Sequence, residues 1–215
     1  MIILNCNNTC YLKGEINMSA VTKIKKEDLL KGSIKIIRTK GIEELSARNL
    51  AKICECSTQP IFRLFKNMDE LKDTVYEDVY EIQKKYLSSG EIHQVPFIGV
   101  GLSYIEFAKK EKNLFKFLFM STNSKYNNIL AMAETEEGLK YIEMIQKSTG
   151  LSKISSKQIY INTWLIIHGI ASMMATTNSE LSKEEIETII FDAFKGYRQA
   201  LMNKELNNKY KKNSN

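Results

Sequence analysis

The sequence predicts an all-α protein of about nine helices, with a small N-terminal helix-turn-helix unit and a larger helical domain behind it. Apolar residues recur at intervals of three and four along nearly every patterned segment, as they do on one face of a helix. The 215 residues include only 10 Gly and 2 Pro, too few for the many turns of an all-β fold. The 43% of hydrophobic residues suffice for a core, which excludes general disorder.

Residues that cap helices mark the ends of these segments. Ser46, Ser57 and Asn67 are predicted N-caps, and Ser182 opens the last helix with a glutamate three residues later, which is the capping-box pattern. Gly41 is predicted to close the first helix in the left-handed conformation. The helix predicted at 127–146 is interrupted near Thr135, and Gly150 ends it. The predicted helices cover residues 25–40, 47–54, 58–65, 68–88, 97–110, 113–119, 127–146, 156–176 and 183–204.

Charge divides the chain into unequal parts. Residues 18–66 carry a balance of +6, residues 67–203 a balance of −3, and residues 204–215 a balance of +3. A basic unit joined to a mildly acidic one is typical of a nucleic-acid module attached to a second domain with a different task. We therefore expect a DNA-binding domain at 18–66, a second helical domain at 67–203 and a basic disordered tail at 204–215.

Residues 1–17 show no periodicity, and we expect a disordered or mis-called leader there. Lys13, Gly14 and Glu15 can be encoded by a purine tract of ribosome-binding type shortly before Met18. Our hypothesis is that Met18 is the natural start; the alternative is a genuine disordered arm that touches DNA. The mass of the native protein decides between them, because initiation at Met1 would exclude a start at Met18.

The cysteines and the apolar runs favour a soluble protein of the cytoplasm. Cys6, Cys10, Cys54 and Cys56 are not spread along the chain like a disulfide framework, and neither histidine stands at ligand spacing from the second pair. We interpret that pair as packing thiols and expect no metal. The longest weakly polar run, Trp164–Ala175, has 12 residues, too few to span a bilayer. No secretion signal opens the chain.

The predicted second and third helices have the chemistry of a helix-turn-helix, in which the third presents its first turn to the major groove. That turn carries Thr58, Gln59 and Pro60. Glutamine can pair in bidentate fashion with adenine, and a threonine methyl or a proline ring can contact the methyl group of thymine. Arg63 and Lys66 supply cations for phosphates, which provide most of the affinity. A mere packing module with solvated lysines is the alternative.

This region resembles the TetR/AcrR family of bacterial regulators, from about Leu29 to Leu71. The resemblance rests on Gly41 and on the segments Ser46-Ala47-Arg48-Asn49-Leu50-Ala51, Ser57-Thr58, Ile61-Phe62-Arg63-Leu64-Phe65-Lys66 and Glu70-Leu71. It implies that the residues facing DNA are Arg48, Ser57, Thr58, Gln59, Pro60, Arg63 and Lys66.

Two positions depart from the family pattern. The turn between the two helices usually has Gly followed by an aliphatic residue, and this chain has Glu55 and Cys56. Glutamate in a left-handed turn costs on the order of 1 kcal/mol, which a folded domain can absorb. The family usually has a tyrosine that contacts phosphate where Phe62 stands. Phe62 lacks the hydroxyl, so we assign it no phosphate contact.

The resemblance also implies that residues 67–203 form a ligand-binding and dimerisation domain, and that the protein is a ligand-responsive repressor acting as a homodimer on a palindromic operator. The last two predicted helices fit a dimerising pair, because the helix at 156–176 is apolar almost all round. Gly169, Ala171 and Ser172 would permit a close approach of two subunits. Burial of this helix inside one subunit is the alternative.

An effector pocket of this domain would be lined by aromatic and methionine side chains. The candidate helices carry no arginine, so we expect a small apolar effector that is neutral or cationic. Plain core packing is the alternative for every candidate, and His168 is expected to be hydrogen-bonded in the core. The candidates are Tyr76, Tyr80, Phe97, Tyr104, Phe107, Phe115, Met132, Tyr141, Met144, Trp164 and His168.

An enzyme is not expected from this inventory of residues. The sequence has no phosphate-binding glycine loop, no defensible Ser-His-Asp order and no Glu-x-x-His pair of a di-iron bundle. We accordingly expect no cofactor. The second functional reading is a helical protein-interaction regulator that has no small-molecule inducer.

Overall fold

The computed structural model describes residues 24–122, 130–177 and 180–213. These residues form helices and no strand, so the all-α prediction is confirmed. Two short 3-10 helices lie at Ile42–Glu44 and Ala131–Glu134. The α-helices of the described ranges are α1 Lys26–Lys40, α2 Ala47–Ile53, α3 Gln59–Leu64, α4 Met68–Gly90, α5 Pro96–Lys110, α6 Lys112–Phe119, α7 Glu136–Thr149, α8 Lys153–Thr176 and α9 Lys183–Asn213.

The first three helices form a small unit on the N-terminal part of α4. Helix α1 packs against α2, α4 and α6, and its Leu29 and Ile37 are fully buried. Leu50 from α2 and Ile61 from α3 are equally buried in the same core. Each such side chain contributes about 1.5–3 kcal/mol by leaving water, which fixes three short helices that would be unstable alone.

The larger helical part is organised around α5. This helix packs against α4, α6, α7, α8 and α9. Glycines at both sides of its crossing with α4 allow the closest approach, because a Cβ atom on Gly90 would overlap the backbone of Gly99, and one on Gly99 would overlap the carbonyl oxygen of Gly90. The two helices therefore meet backbone to backbone at the end of α4.

Most predicted caps are present in the structure. The side chains of Ser46 and Asn67 accept the backbone N–H of the third residue beyond them, and Ser182 does so in a complete capping box with Glu185. Thr135 caps α7 and separates it from the preceding 3-10 helix, so the predicted interruption is confirmed. Gly150 ends α7 in the left-handed conformation, as predicted. Residues 127–129 of that predicted helix lie outside the described residues, as do the leader, Met18, Cys6 and Cys10.

The predicted start of α3 is wrong by one residue. Thr58, not Ser57, precedes the helix, and no side chain caps it. Pro60 is the reason, because it would be the third residue of a helix capped by Ser57 and has no N–H to offer the cap. The helix instead starts where Ile61 N–H can reach the carbonyl oxygen of Thr58, at 3.1 Å.

Gly41 also differs from its prediction. Its φ of 97° is positive, as expected, but its ψ of 167° is extended rather than left-handed helical. The chain leaves α1 directly into the 3-10 helix at Ile42–Glu44, and this change of direction needs an extended ψ. Glycine is still favoured here, because a residue with a Cβ atom rarely adopts that φ.

The last two helices are longer than predicted. Helix α8 begins at Lys153 after the cap Ser152, and α9 continues to Asn213 through most of the segment expected to be disordered. A contact between residues far apart in the sequence joins the start of α8 to α9 just beyond the predicted end of that helix. Glu205 of α9 accepts hydrogen bonds from the Ser152 hydroxyl at 2.5 Å and the Ser152 N–H at 3.1 Å, and also from the Ser155 hydroxyl. These bonds lower the pKa of Glu205 and tie the end of α9 to the start of α8.

Glu55 lies in the turn between α2 and α3 with a φ of 51°, and it is the single residue other than glycine with a positive φ in the described ranges. We predict that Glu55→Gly raises the free energy of unfolding by about 1 kcal/mol, because it removes the Cβ atom that makes this conformation costly. Urea unfolding measures the change. Glu55→Ala is the matched control, since it removes the carboxylate but keeps Cβ; an equal gain in both variants would contradict the backbone explanation.

Candidate nucleic-acid interface and ligand cavity

Helix α3 is held on one side and free on the other. Ile61 and, just beyond the helix, Phe65 are buried in the N-terminal core. Thr58 and Gln59 at its start are exposed, while Pro60 is half-buried. The first turn is thus fixed in position by apolar contacts while its polar side chains remain available to a partner.

Cations surround this exposed turn. Arg48 on α2, Arg63 on α3 and Lys66 beyond it are exposed, as is Ser57. Within the described ranges, the side chains of the three basic residues form no ion pair or hydrogen bond. Such groups can approach phosphates without breaking a prior interaction, which suits a nucleic-acid surface.

Phe62 also lies on this surface, which was not predicted. Its side chain is 51% exposed, and it lies one helical turn from Gln59 on the same side of α3. A large apolar side chain among polar ones is unusual at a free surface. A phenylalanine in a helix is expected in the core by default, and the one signal for exposure was the phosphate-contacting tyrosine that the family usually has at this position.

A polar contact joins the small unit to the larger helical part. Arg38 Nε on α1 lies 2.8 Å from Glu111 Oε2, at the residue that links α5 to α6. Asn113 Nδ2 on α6 donates to the carbonyl oxygen of Arg38 at 3.0 Å. Helix α1 is therefore fastened to α6 as well as to α4.

A cavity of about 320 Å³ lies between α4, α5, α7 and α8. Six predicted pocket residues line it, namely Tyr80, Phe97, Tyr104, Met132, Tyr141 and Trp164. The lining does not include the other five, which are Tyr76, Phe107, Phe115, Met144 and His168. Tyr76, Phe107 and Phe115 are buried in the core instead, and Met144 packs against it. The other lining residues were not predicted from the sequence, and Gln83, Phe119 and Tyr160 are among them.

The walls of the cavity are rings in contact with one another. Tyr141 and Tyr160 stack with centroids 6.3 Å apart, and Phe97 lies 5.9 Å from Tyr160. Burial raises the pKa of Tyr141 to about 12 and that of Tyr160 further, so both phenols stay protonated at neutral pH. This aromatic part of the wall is therefore flat and uncharged.

The polar groups of the cavity lining include one unpaired amide oxygen and two ion pairs. Gln83 on α4 is only 3% exposed, and its Oε1 atom has no hydrogen-bond partner among the described residues. The charged lining residues pair with one another, Lys140 with Glu91 at 2.6 Å and Lys84 with Glu137 at 3.4 Å. The charged residues of the lining thus compensate each other, while an amide oxygen is left unsatisfied.

Tyr104 connects the cavity to His168. Its hydroxyl lies 2.8 Å from Nδ1 of His168, which also stacks on Trp164 with centroids 4.7 Å apart. Burial raises the pKa of Tyr104 well above its usual range and lowers that of His168. The phenol therefore donates, and the neutral imidazole accepts at Nδ1 and keeps its proton on Nε2. His168 is a hydrogen-bonded core residue, as predicted.

A second cavity of about 430 Å³ lies beside the α4–α5 crossing, with Gly90, His93, Leu102 and Ile186 in its lining. It is larger than the aromatic cavity. Its lining contains no phenylalanine, tyrosine or tryptophan and none of the unsatisfied buried polar groups found in the described residues. The aromatic cavity is therefore the better candidate for selective binding of a small molecule.

Helix α8 is long and apolar enough to cross a membrane by length and composition, with a mean hydropathy of 1.2 over 18 residues. The short run noted in the sequence, Trp164–Ala175, is only its C-terminal half. The helix packs against α5, α7 and α9, and its Ile159, Ile167 and Met174 are buried there. Packing inside the helical domain accounts for these apolar residues.

We predict that acid destabilises the protein through His168. A histidine with a lowered pKa takes up a proton less readily when folded than when unfolded, so the free energy of unfolding falls as the pH drops below about 6.5. His168→Gln keeps an acceptor for Tyr104 and does not titrate, so its unfolding free energy falls less between about pH 7.5 and about pH 5.5. Urea unfolding across this range measures both slopes.

The same measurement near pH 8 is the control, because both side chains are then neutral and the two slopes should agree. Equal slopes below pH 6.5 would show that His168 is not the responsible group.

No protein-family model and no curated protein sequence matches the chain. Solved structures do. A TetR-like transcriptional regulator from Rhodococcus sp. RHA1 superposes with a TM-score of 0.57 at 14% identity, covering 79% of this chain and 92% of that one. A second transcriptional regulator from the same organism gives 0.55 at 14% identity, covering 82% and 97%. A candidate TetR-family regulator from Mesorhizobium loti MAFF303099 gives 0.51 at 14% identity, covering 81% and 95%. The chain therefore has the fold of TetR-like regulators over most of its length.

Proposed function

We propose that this protein is a sequence-specific DNA-binding transcriptional regulator, a repressor that acts as a homodimer on a palindromic operator and releases it when a small molecule binds. The exposed first turn of α3, anchored from behind by Ile61 and Phe65, is the observation that carries the proposal. The fold shared with TetR-like regulators supports it. The division into a DNA-binding domain at 18–66 and a ligand-binding and dimerisation domain at 67–203 belongs to the same proposal, as does a place in the cytoplasm.

The exposed side chains have the chemistry needed to read a base sequence. Gln59 can make two hydrogen bonds to one adenine, and Thr58 can offer its methyl group to a thymine. Arg48, Arg63 and Lys66 add phosphate contacts that hold the helix in register. Base contacts then provide selectivity, while the cations provide affinity that falls with salt.

The outer side of α8 and α9 supports the homodimer. Leu165 and Met173 on α8 and Ile189 on α9 are large apolar side chains with more than a third of their surface exposed. Helix α8 carries no Lys, Arg, Asp or Glu beyond Lys157, so this side of the helix exposes an apolar surface that another subunit can cover. Gly169 is exposed, as expected for a contact between subunits, whereas Ala171 is fully buried and packs inside its own subunit.

Helix α4 provides a physical route from ligand to DNA. It starts at the Asn67 cap, shortly after α3 in the sequence, and its Tyr80, Gln83 and Leu87 line the cavity. Two recognition helices must lie about 34–36 Å apart to enter successive major grooves. A ligand that binds better when the α4 helices are spread would favour the state that cannot engage DNA.

We predict that the double change Thr58→Ala with Gln59→Ala removes selectivity without removing DNA binding. Losing one bidentate pair costs about 1–3 kcal/mol, so the preference for the operator over random DNA should fall about fivefold to about 150-fold. Mobility shift of the region upstream of the protein's own gene, against shuffled DNA, measures this ratio. Unchanged selectivity would show that another element reads the bases.

Lys66→Ala is the control for that experiment. It should weaken operator and shuffled DNA alike and reduce the salt slope by about 1. A protein that binds neither DNA at low salt would favour the second reading, a helical protein-interaction regulator without an inducer.

We predict that Leu165→Asp converts the dimer into monomers, because it places a charge in the apolar contact between subunits. Leu139→Asp on α7 is the matched control, since both leucines are 44% exposed. Sedimentation equilibrium should show the dimer for the wild type and Leu139→Asp, and a dissociation constant raised at least about tenfold for Leu165→Asp. A dimer equally stable in both variants would place the subunit contact elsewhere.

A further inference from the structure

We propose that the aromatic cavity binds an uncharged, planar, fused-ring ligand carrying one N–H or O–H group, and that this group donates to Oε1 of Gln83. The role of such a ligand as the effector rests on the proposed function. Its binding does not, because the cavity lies within one subunit and away from α3.

Gln83 fixes the polar requirement. Buried amide oxygens in proteins nearly always have a hydrogen-bond partner, and one without a partner carries a desolvation cost. Gln83 Oε1 is buried without a partner at the cavity wall. A donor on a ligand would satisfy this atom, and an acceptor in the same place would be repelled by it.

The walls fix the shape. Tyr141 and Tyr160 stack nearly parallel, with 23° between their planes, and Phe97 and Trp164 also line the same space. Aromatic faces bind other rings in offset or edge contacts, which stabilise a complex beyond the burial of apolar area that an aliphatic chain would also provide. A volume of about 320 Å³ is at the small end of ligand cavities and suits a compact fused-ring molecule.

The charged lining residues fix the charge. Glu91 is already paired with Lys140, and Glu137 lies 3.4 Å from Lys84, whose Nζ also lies over the Tyr80 ring at 5.0 Å. A charged ligand would lose its water shell without gaining an unpaired counter-charge, and burying a charge in that way is costly. The sequence left cationic ligands open, and these ion pairs favour uncharged ones.

Carbazole and dibenzofuran are suitable probes, because they share a flat three-ring skeleton and differ at one atom. Carbazole has an N–H at that position, and dibenzofuran has an oxygen acceptor. We expect carbazole to bind the wild type about tenfold more tightly, the equivalent of one hydrogen bond to a buried group. Equilibrium dialysis gives both dissociation constants, and carbazole should also raise the melting temperature.

Gln83→Leu tests the assigned atom. It should remove the preference, so that the two probes bind within about twofold of each other, while Gln146→Leu on the half-exposed side of α7 should retain it. Gln83→Met, which has the same chain length without branching, replaces the leucine variant if the latter unfolds. The proposal is overturned if neither probe binds, if dibenzofuran binds more tightly, or if the preference survives loss of the amide.

Mobility shift separates this proposal from the proposed function. If carbazole is preferred through Gln83 but the protein binds no DNA, the ligand class stands and the regulatory role fails. If the protein binds its operator but shows no preference for carbazole, the ligand class fails and the DNA-binding function stands.

Discussion

Burial of one face of α4 is the interaction on which the rest of the structure depends. Leu71, Val75 and Val79 are fully buried along this face, first beneath the N-terminal helices and then within the larger helical part. Together they contribute on the order of 5 kcal/mol, a large share of the net stability of a typical domain. Because one rigid helix serves both parts, α3 and the cavity keep a fixed relation within each state of the protein.

As the proposed ligand site, the cavity would exchange some stability for binding. A fully packed interior would gain dispersion contacts, and a leucine in place of Gln83 would leave no amide oxygen without a partner. Nearby, the Tyr104–His168 pair shows the opposite arrangement, with a buried donor matched to a buried acceptor. A buried polar group without a hydrogen-bond partner, next to one that has a partner, is what we expect of the proposed ligand site.

The helices could be predicted from the sequence because their signals are local. Apolar periodicity marks each buried face, and Ser46 and Asn67 act on N–H groups only three residues away. The contact that holds α9 beside the start of α8 could not be predicted, because it joins Glu205 to Ser152, 53 positions apart. The spacing of apolar residues also does not show where α3 starts, because that depends on Pro60, which has no backbone N–H.

The cavity was only partly predictable for a related reason. Aromatic residues on the right helices were found, but Tyr80 lines the cavity while Tyr76, one turn earlier on α4, is buried in the core. The choice depends on how α4 is rotated against α5, which single-helix patterns do not record. Gln83 was missed because glutamine on a helix is usually solvated, and only tertiary packing buries it.

Trp164 is the chain's only tryptophan, and it lies in the cavity wall with its ring stacked on His168. Light at the long-wavelength edge of protein absorption is therefore absorbed by Trp164 alone. Its emission depends on whether water or a bound molecule occupies the adjoining space, and on the protonation of the ring stacked against it. The molecule thus contains its own optical reporter, and occupancy can be followed in real time without a label.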